Sequence, residues 1–225
     1  MARISLLGPA WPYRGGIAHF LGATARELAA RGHAVEVVTF RRQYPEILFP
    51  GTTQYDEGPP PTDTPRAVRR LDTLNPLTWR GTARHIAESG AEVAVLMYWM
   101  PFLAPALGSV ARSLRRRGAR VVTVVHNALP HERRPGDVAL SRYALRASDG
   151  LIVMSEKVGK DVASLGLAAP VRSVPHPVYD GFGPAVERAE ARRQLDLPPD
   201  APVFLFFGFI RRYKGLHVLL DTMRE

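Results

Sequence analysis

The stretch EVAVLMYWMPFLAPALGSVARSLRRRGARVVTVVH, residues 92–126, decides the fold. It opens with one apolar run, EVAVLMYW (92–99), and closes with another, RVVTVVH (120–126). Short runs rich in β-branched and large apolar residues read as buried strands. Between them, residues 102–117 have helical length, an apolar half and a basic end. A strand, a helix and a strand in succession make a parallel unit, because parallel strands need a long crossover and the helix supplies it. The arginines at the helix end are well placed against the helix dipole. A helix of this composition is also of the kind that lies on an anionic membrane, and both readings stay open.

The same alternation extends in both directions. RISLLG (3–8) reads as a first strand. Residues 16–32 read as a helix whose apolar stripe is Ile17, Phe20, Leu21, Leu28 and Ala29. Strands follow at 34–40, 150–155 and 171–175, with helices near 76–89, 137–147 and 156–165. This pattern predicts an α/β fold, a Rossmann-like doubly wound parallel sheet with helices on both faces. Residues 41–75, rich in Pro, Gly and Thr, break the rhythm and read as a long loop or irregular insertion. After VPHPVYDGFGPA (174–185) the composition shifts, and a helix near 187–195, a strand at 203–208 and a helix from about 214 start afresh. The expected organisation is therefore an N-terminal domain over 1–178, a linker over 179–187, and the first βα unit of an incomplete second Rossmann-like domain over 188–225. Some 40 residues are too few to bury a core of their own, so the chain is expected to stop inside a domain.

Composition narrows the chemistry. The chain has 225 residues and a mean hydropathy of −0.10. No apolar run approaches the ~18 residues of a membrane span, and the start is too short on apolar residues for a secretory leader. A cytoplasmic location fits. There is no cysteine, which excludes disulfides, zinc–thiolate sites and thiol nucleophiles. Net charge is +9, and only Lys157, Lys160 and Lys214 of the 30 basic residues are lysine. An arginine-favouring genome, anionic ligands or an anionic membrane surface would each produce that balance. Nucleic acid is not expected as a partner, since no platform of interleaved aromatic and basic residues and no helix-turn-helix pattern is present.

Three turns carry residues suited to chemistry. In GPAWPYRGGIAHF (8–20) a strand ends near Gly8, and Gly15 and Gly16 open a helix. Glycines there let backbone N–H groups approach a phosphate or carboxylate at the helix N-terminus. A plain connecting turn has the same composition. The turn is neither a P-loop nor a dinucleotide fingerprint, because G-x-G-x-x-G is absent and strand 34–40 is followed by Arg41 and Arg42 rather than an acid. RVVTVVHNALPHE (120–132) sets His126 and Asn127 at a strand's C-terminal end, where open α/β sheets bind ligands. His131 and Glu132 lie close by in sequence, while His176 reads as a brace for the linker. In GFIRRYKG (208–215), Arg211, Arg212 and Lys214 follow the strand expected at 203–208. Arginine grips phosphate through two parallel hydrogen bonds and lysine acts as a point charge. A cation beside a helix N-terminus is unfavourable unless it has an anionic partner.

Taken in order, PYRGGIAHF, VHN, VPHPVYDGF and FFGFIRRYKGLHVLL resemble the family 4 glycosyltransferases of the GT-B fold. The resemblance implies a metal-independent, retaining transfer of a sugar from a nucleotide-diphosphate sugar, with no cofactor beyond the donor itself. It makes the N-terminal domain the acceptor side, and a glycan, a lipid-linked molecule or a small molecule the acceptor. It implies that Gly15 and Gly16 approach the donor, with Asn127 and Arg212 also on the donor side, and that His126 touches the donor sugar. Arg211 and Lys214 are then the cations that neutralise the leaving diphosphate. Many members carry an arginine directly after the glycine equivalent to Gly208, where this chain has Phe209, so Arg211 becomes the substitute. The family's paired glutamates are expected beyond residue 225, and the 225 residues alone are expected to turn over little donor. The alternatives are a sugar-nucleotide epimerase of the same fold, a nicotinamide-dependent oxidoreductase and a non-catalytic binding module. The loops at 41–75 and after Trp99 are candidates for shaping the acceptor site.

Overall fold

The computed structural model describes residues 1–45, 53–59, 66–130, 132–179, 183–208 and 210–224. The chain divides into two compact units, Met1–His176 and Pro177–Glu225. The first contains a seven-stranded, all-parallel sheet in the order β3-β2-β1-β4-β5-β6-β7. Its strands are β1 (Arg3–Leu7), β2 (Ala34–Arg42), β3 (Ala67–Asp72), β4 (Val93–Tyr98), β5 (Arg120–Val125), β6 (Gly150–Val153) and β7 (Val171–Ser173). The helices α1 (Gly16–Ala30), α2 (Pro76–Glu88), α3 (Ala104–Arg115), α4 (Asp137–Leu145) and α5 (Glu156–Ser164) alternate with them. The chain order reverses between β1 and β4, which is the Rossmann-like arrangement.

Two apolar layers flank the sheet. The smaller is closed by α1, where Leu21 and Ala25 meet Leu6, Val37, Met97 and Val124. In the larger, residues of α2 to α5, such as Ile86, Leu107, Leu145 and Val162, pack on Leu7, Val38, Val121 and Leu151. Most helix starts follow local rules. The Asn75 side chain accepts from the Leu77 amide and Pro76 takes the first turn of α2. Ser155 accepts from the Val158 amide and Glu156 faces the positive end of α5. Helix α1 has a glycine, Gly15, at its N-cap, and like α3 it has no side-chain cap and no acid in the first turn.

Two expectations are corrected. Residues 67–72, placed by sequence inside a long loop, form the edge strand β3 on β2. Two consecutive arginines hide the strand pattern, but an edge strand tolerates charge that a central one does not. Arg42 and Asp72 then pair across the two strands through two hydrogen bonds, at 3.0 and 2.7 Å. Conversely, the run at 203–208 is not a strand in its described residues. A strand needs a neighbour to hydrogen-bond with, and no described residue of Pro177–Glu225 offers one. That unit contains α6 (Arg188–Gln194), a 3₁₀ turn at Arg212–Lys214 and α7 (Leu216–Thr222), and none of these elements has a buried residue. The helix expected from 102 begins instead with a 3₁₀ turn at Pro101–Leu103, and α3 proper starts at Ala104.

Candidate functional site

The carboxyl ends of β1, β4 and β5 come together at the point where the strand order reverses, the usual place for a ligand crevice in such a sheet. Gly8 closes β1 there. A Cβ on it would lie 2.6 Å from Leu21 and 2.7 Å from Met97, so only glycine lets α1 sit down on the ends of β1 and β4. The turn that follows leads to Gly15, whose φ of 116° is one that L side chains rarely adopt. Its carbonyl accepts the amides of Ala18 and His19, which starts the helix. Around both Gly15 and Gly16 a Cβ would meet nothing within 4 Å. The glycines thus sit at a helix N-terminus with no side-chain cap, a setting that suits an anion.

His126 follows β5. Its amide donates to the Tyr98 carbonyl at 2.8 Å, which carries the β4–β5 pairing one step past the strands. Its ring stands edge-on to Phe20, with centroids 5.1 Å apart, and Phe20 lies one helical turn after Gly16. His176 is the second ring in contact with Phe20, at 5.8 Å. The structure therefore brings His126 and the start of α1 together through Phe20, a residue that the sequence marked only as part of an apolar stripe. Burial, and then the nearby His176, push the His126 pKa down to about 4. The ring is neutral at physiological pH. Its Nε2 is buried and, like five other buried side-chain atoms among the described residues, has no hydrogen-bond partner within the protein, so it can take one from a ligand. Asn127 is half-buried beside it. The loop beyond is braced where Ser141 Oγ accepts from the Tyr98 hydroxyl at 2.9 Å and donates to the Ala128 carbonyl at 2.8 Å.

On the β2–β3 side the rim is aromatic, which the sequence did not reveal. Trp99 stands edge-on to Phe40 and Tyr44, and its indole N–H donates to the Tyr44 hydroxyl. Tyr13 packs edge-on to Phe40 and bridges to Tyr55, with the Arg69 guanidinium near both phenol rings. Burial pushes the hydroxyls of Tyr13 and Tyr44 up to about 12. The Arg14 amide donates to the Gln54 carbonyl at 3.1 Å and the Asp56 amide to Pro12 at 2.7 Å, tying part of the 41–75 segment onto the β1–α1 turn. Trp11 protrudes from that turn, and Trp79 hydrogen-bonds its indole to the last carbonyl of β3. Among the described residues no group of histidines or acids is arranged to hold a metal, and no helix is long and apolar enough to cross a membrane.

In the second unit, Arg211, Arg212 and Lys214 are exposed. Arg211 is extended and its carbonyl accepts the Lys214 amide at 3.0 Å. Gly208 has φ 102°, and the Lys214 ammonium lies where its Cβ would be, at 2.6 Å, so lysine folds back over the glycine. Gly215, at φ 72°, turns the chain into α7. The three cations thus gather on one turn. His131 and Phe209 lie outside the described residues. Arg41 and Arg42, which follow β2's apolar run, are engaged locally: Arg42 with Asp72, and Arg41 with the Arg69 carbonyl.

The family model described as Glycosyltransferase Family 4 matches residues 14–180, from the glycine turn to the end of the sheet unit. The chain belongs to glycosyltransferase family 4. Similar curated relatives include a D-inositol 3-phosphate glycosyltransferase of Catenulispora acidiphila, 30% identical over 94% of this chain and 52% of that protein. Another is the D-inositol 3-phosphate glycosyltransferase of Thermobifida fusca, 29% identical over 92% of this chain and 50% of that one. The chain spans about half the length of these relatives. Among solved structures, an alpha-glucosyltransferase in complex with UDP and a 13-mer DNA superposes with TM-score 0.51 at 13% identity, over 76% of this chain and 42% of that one. The UDP-N-acetylglucosamine 2-epimerase of Rickettsia bellii gives 0.50 at 11% identity, over 76% and 44%. At such identities the likeness is one of fold, the Rossmann-like α/β fold of GT-B enzymes. Within family 4 the matched span holds Gly15, Gly16, His126 and Asn127.

Proposed function

We propose that the protein is a metal-independent, retaining glycosyltransferase that moves a sugar from a nucleotide-diphosphate sugar to a hydroxyl of a glycan, a lipid-linked molecule or a small molecule. The observation that carries this reading is the neutral His126, whose buried Nε2 has no partner within the protein, standing against the first turn of a helix with no side-chain cap. In the reaction the bond from the anomeric carbon to the diphosphate breaks, a bond to the acceptor oxygen forms, and the acceptor proton leaves with the diphosphate. Charge grows on the diphosphate as it departs. Preorganised donors aimed at that charge lower the barrier. Gly15 and Gly16 would offer backbone N–H groups to the donor, with Asn127 beside them. His126, neutral, would hydrogen-bond a sugar hydroxyl without adding a charge. Arg211 and Lys214 would take the diphosphate, with Arg212 alongside. The accessible rings of the rim, Tyr44, Tyr55 and Trp99, would face the acceptor, since sugars stack on such rings.

The test is release of nucleoside diphosphate by the full-length protein from a panel of nucleotide sugars with and without acceptors, with the anomeric configuration of the product read by NMR. Acceptor-dependent release with retention is the expected result. The His126→Ala variant should lose about 100-fold or more in kcat, the scale of one lost transition-state hydrogen-bond donor. Release that needs no acceptor, or an inverted product, would overturn the proposal.

A further inference from the structure

The opposite edge of the sheet carries a second concave surface. Helices run antiparallel to the strands, so the C-terminal ends of α3 and α4 and the loop from α5 to β7 meet at the strands' amino ends. They enclose a groove of ≈ 660 Å³. It runs into a second of ≈ 410 Å³ through Arg115, Arg142 and Arg146, which line both. Arg112 joins the second groove, and Asp149 is the one acid that lines either. Three guanidinium groups, of Arg115, Arg142 and Arg146, therefore line both hollows, with Arg112 on the second and the Asp149 carboxylate on the first.

Not all of this charge is spent locally. Arg115 pairs with Asp149 at 2.9 Å. Arg142 donates through Nε to the Leu165 carbonyl at 2.9 Å, which leaves its two terminal nitrogens for another partner. Arg112 lies 3.8 Å over the Tyr143 ring and donates to the carbonyls of Gly108 and Tyr143. Burial first, and then the like charges of Arg146 and Arg116, hold the Arg112 guanidinium below its ordinary range. Arg146 makes no ion pair among the described residues, although it caps α4 at the edge of the hollow. A helix C-terminus draws cations into its last turn, which accounts for one or two of these groups. It does not account for three of them converging on one concave wall that Leu165, Leu167 and Pro170 also line. Apolar flooring lowers the local dielectric and makes both the repulsion and any compensating anion count for more.

We propose that this groove is an anion-binding site, separate from the crevice at the carboxyl edge, and that its ligand is a phosphate-bearing molecule. Guanidinium forks approaching from several sides match the oxygens and the multiple charge of a phosphate better than those of a single carboxylate. The phosphate is either free, on a small soluble metabolite, or the headgroup of an anionic lipid. The proposal does not rest on glycosyl transfer.

The test uses the full chain with Arg211→Ala and Lys214→Ala as background, so that the turn proposed to hold the donor diphosphate does not contribute. Pyrophosphate binding is measured by calorimetry, and sedimentation is measured with phosphatidylglycerol vesicles against phosphatidylcholine vesicles. Arg146→Glu is added to that background, with Arg80→Glu on the exposed face of α2 as the control of equal charge change. Arg146→Glu should weaken binding about tenfold or more, the worth of one charged hydrogen-bonding contact, and Arg80→Glu less than about twofold. Arg142→Lys, which keeps the charge but loses the fork, should weaken it as well. Sensitivity with pyrophosphate assigns a free phosphate; sensitivity confined to anionic vesicles assigns a lipid headgroup. Absence of binding to either probe, or equal effects of Arg146→Glu and Arg80→Glu, would overturn the site.

Discussion

His126 illustrates what a single residue can and cannot disclose. Its place after an apolar run was legible, because strand ends are where a parallel sheet presents side chains to a crevice. Its neutrality was not, since that depends on burial under Phe20 and on His176, fifty residues further on. The depressed pKa has a sign. The folded state resists protonating a ring that the unfolded chain protonates near its ordinary value of 6.5, so stability falls as pH drops from about 6.5 to about 4 and levels off below. The slope contributed is at most roughly 1.4 kcal/mol per pH unit. His126→Gln should flatten that part of a Tm-against-pH curve; an unchanged curve would show that the ring titrates normally. Arg211 and Lys214 drew attention by charge and spacing, and both are exposed. Arg211→Ala and Lys214→Ala should each move stability by about 0.5 kcal/mol or less, the range of surface substitutions. They should nonetheless cut transfer by about 100-fold in the full-length protein. Matching losses in both readouts would mean that the turn is structural.

At the scale of elements, the glycines separate packing from function. Gly8→Ala forces a methyl into the Leu21–Met97 contact and should cost about 1–3 kcal/mol in chemical denaturation, the cost of overpacking. Gly16→Ala meets open space and replaces glycine in a helix, so it should be neutral or stabilise by up to about 1 kcal/mol. If Gly16 faces the donor, the same variant raises the donor KM; a variant that is more stable with unchanged KM would remove Gly16 from the site. The elements themselves were mostly readable from alternation, with two instructive failures. Edge strand β3 was lost because Arg69 and Arg70 interrupt its pattern, while the Arg69 guanidinium in fact flanks the rim, its Nε donating to the Phe40 carbonyl at 3.1 Å. The run at 203–208 has strand composition but no pairing partner, and composition alone does not supply one. The aromatic rim escaped notice because Tyr13, Tyr44, Tyr55 and Trp99 are scattered in sequence and meet only through the β1–β2–β4 arrangement.

Over the whole molecule, stability is divided unevenly. The buried residues lie in Met1–His176, whereas the described part of Pro177–Glu225 keeps Leu205, Phe207 and Ile210 at 83, 85 and 75% exposure. Amide exchange should therefore be slow in β1, β4 and β5 and approach the intrinsic rate through 183–208 and 210–224. Strong protection in the second unit would mean that its apolar surface is covered in solution. The order of elements was legible in the sequence, but the reversal between β1 and β4 was not, and it is the reversal that puts the glycine turn beside His126. The same topology sorts the three tryptophans. Trp11 follows β1, Trp79 bonds to the end of β3 and Trp99 follows β4, so all three indoles stand on the carboxyl edge. The arginine groove at the other edge contains none. The molecule thereby carries a one-sided optical label. A ligand entering the crevice will shift or quench indole emission, whereas one that settles among Arg115, Arg142 and Arg146 will leave the spectrum dark to its arrival.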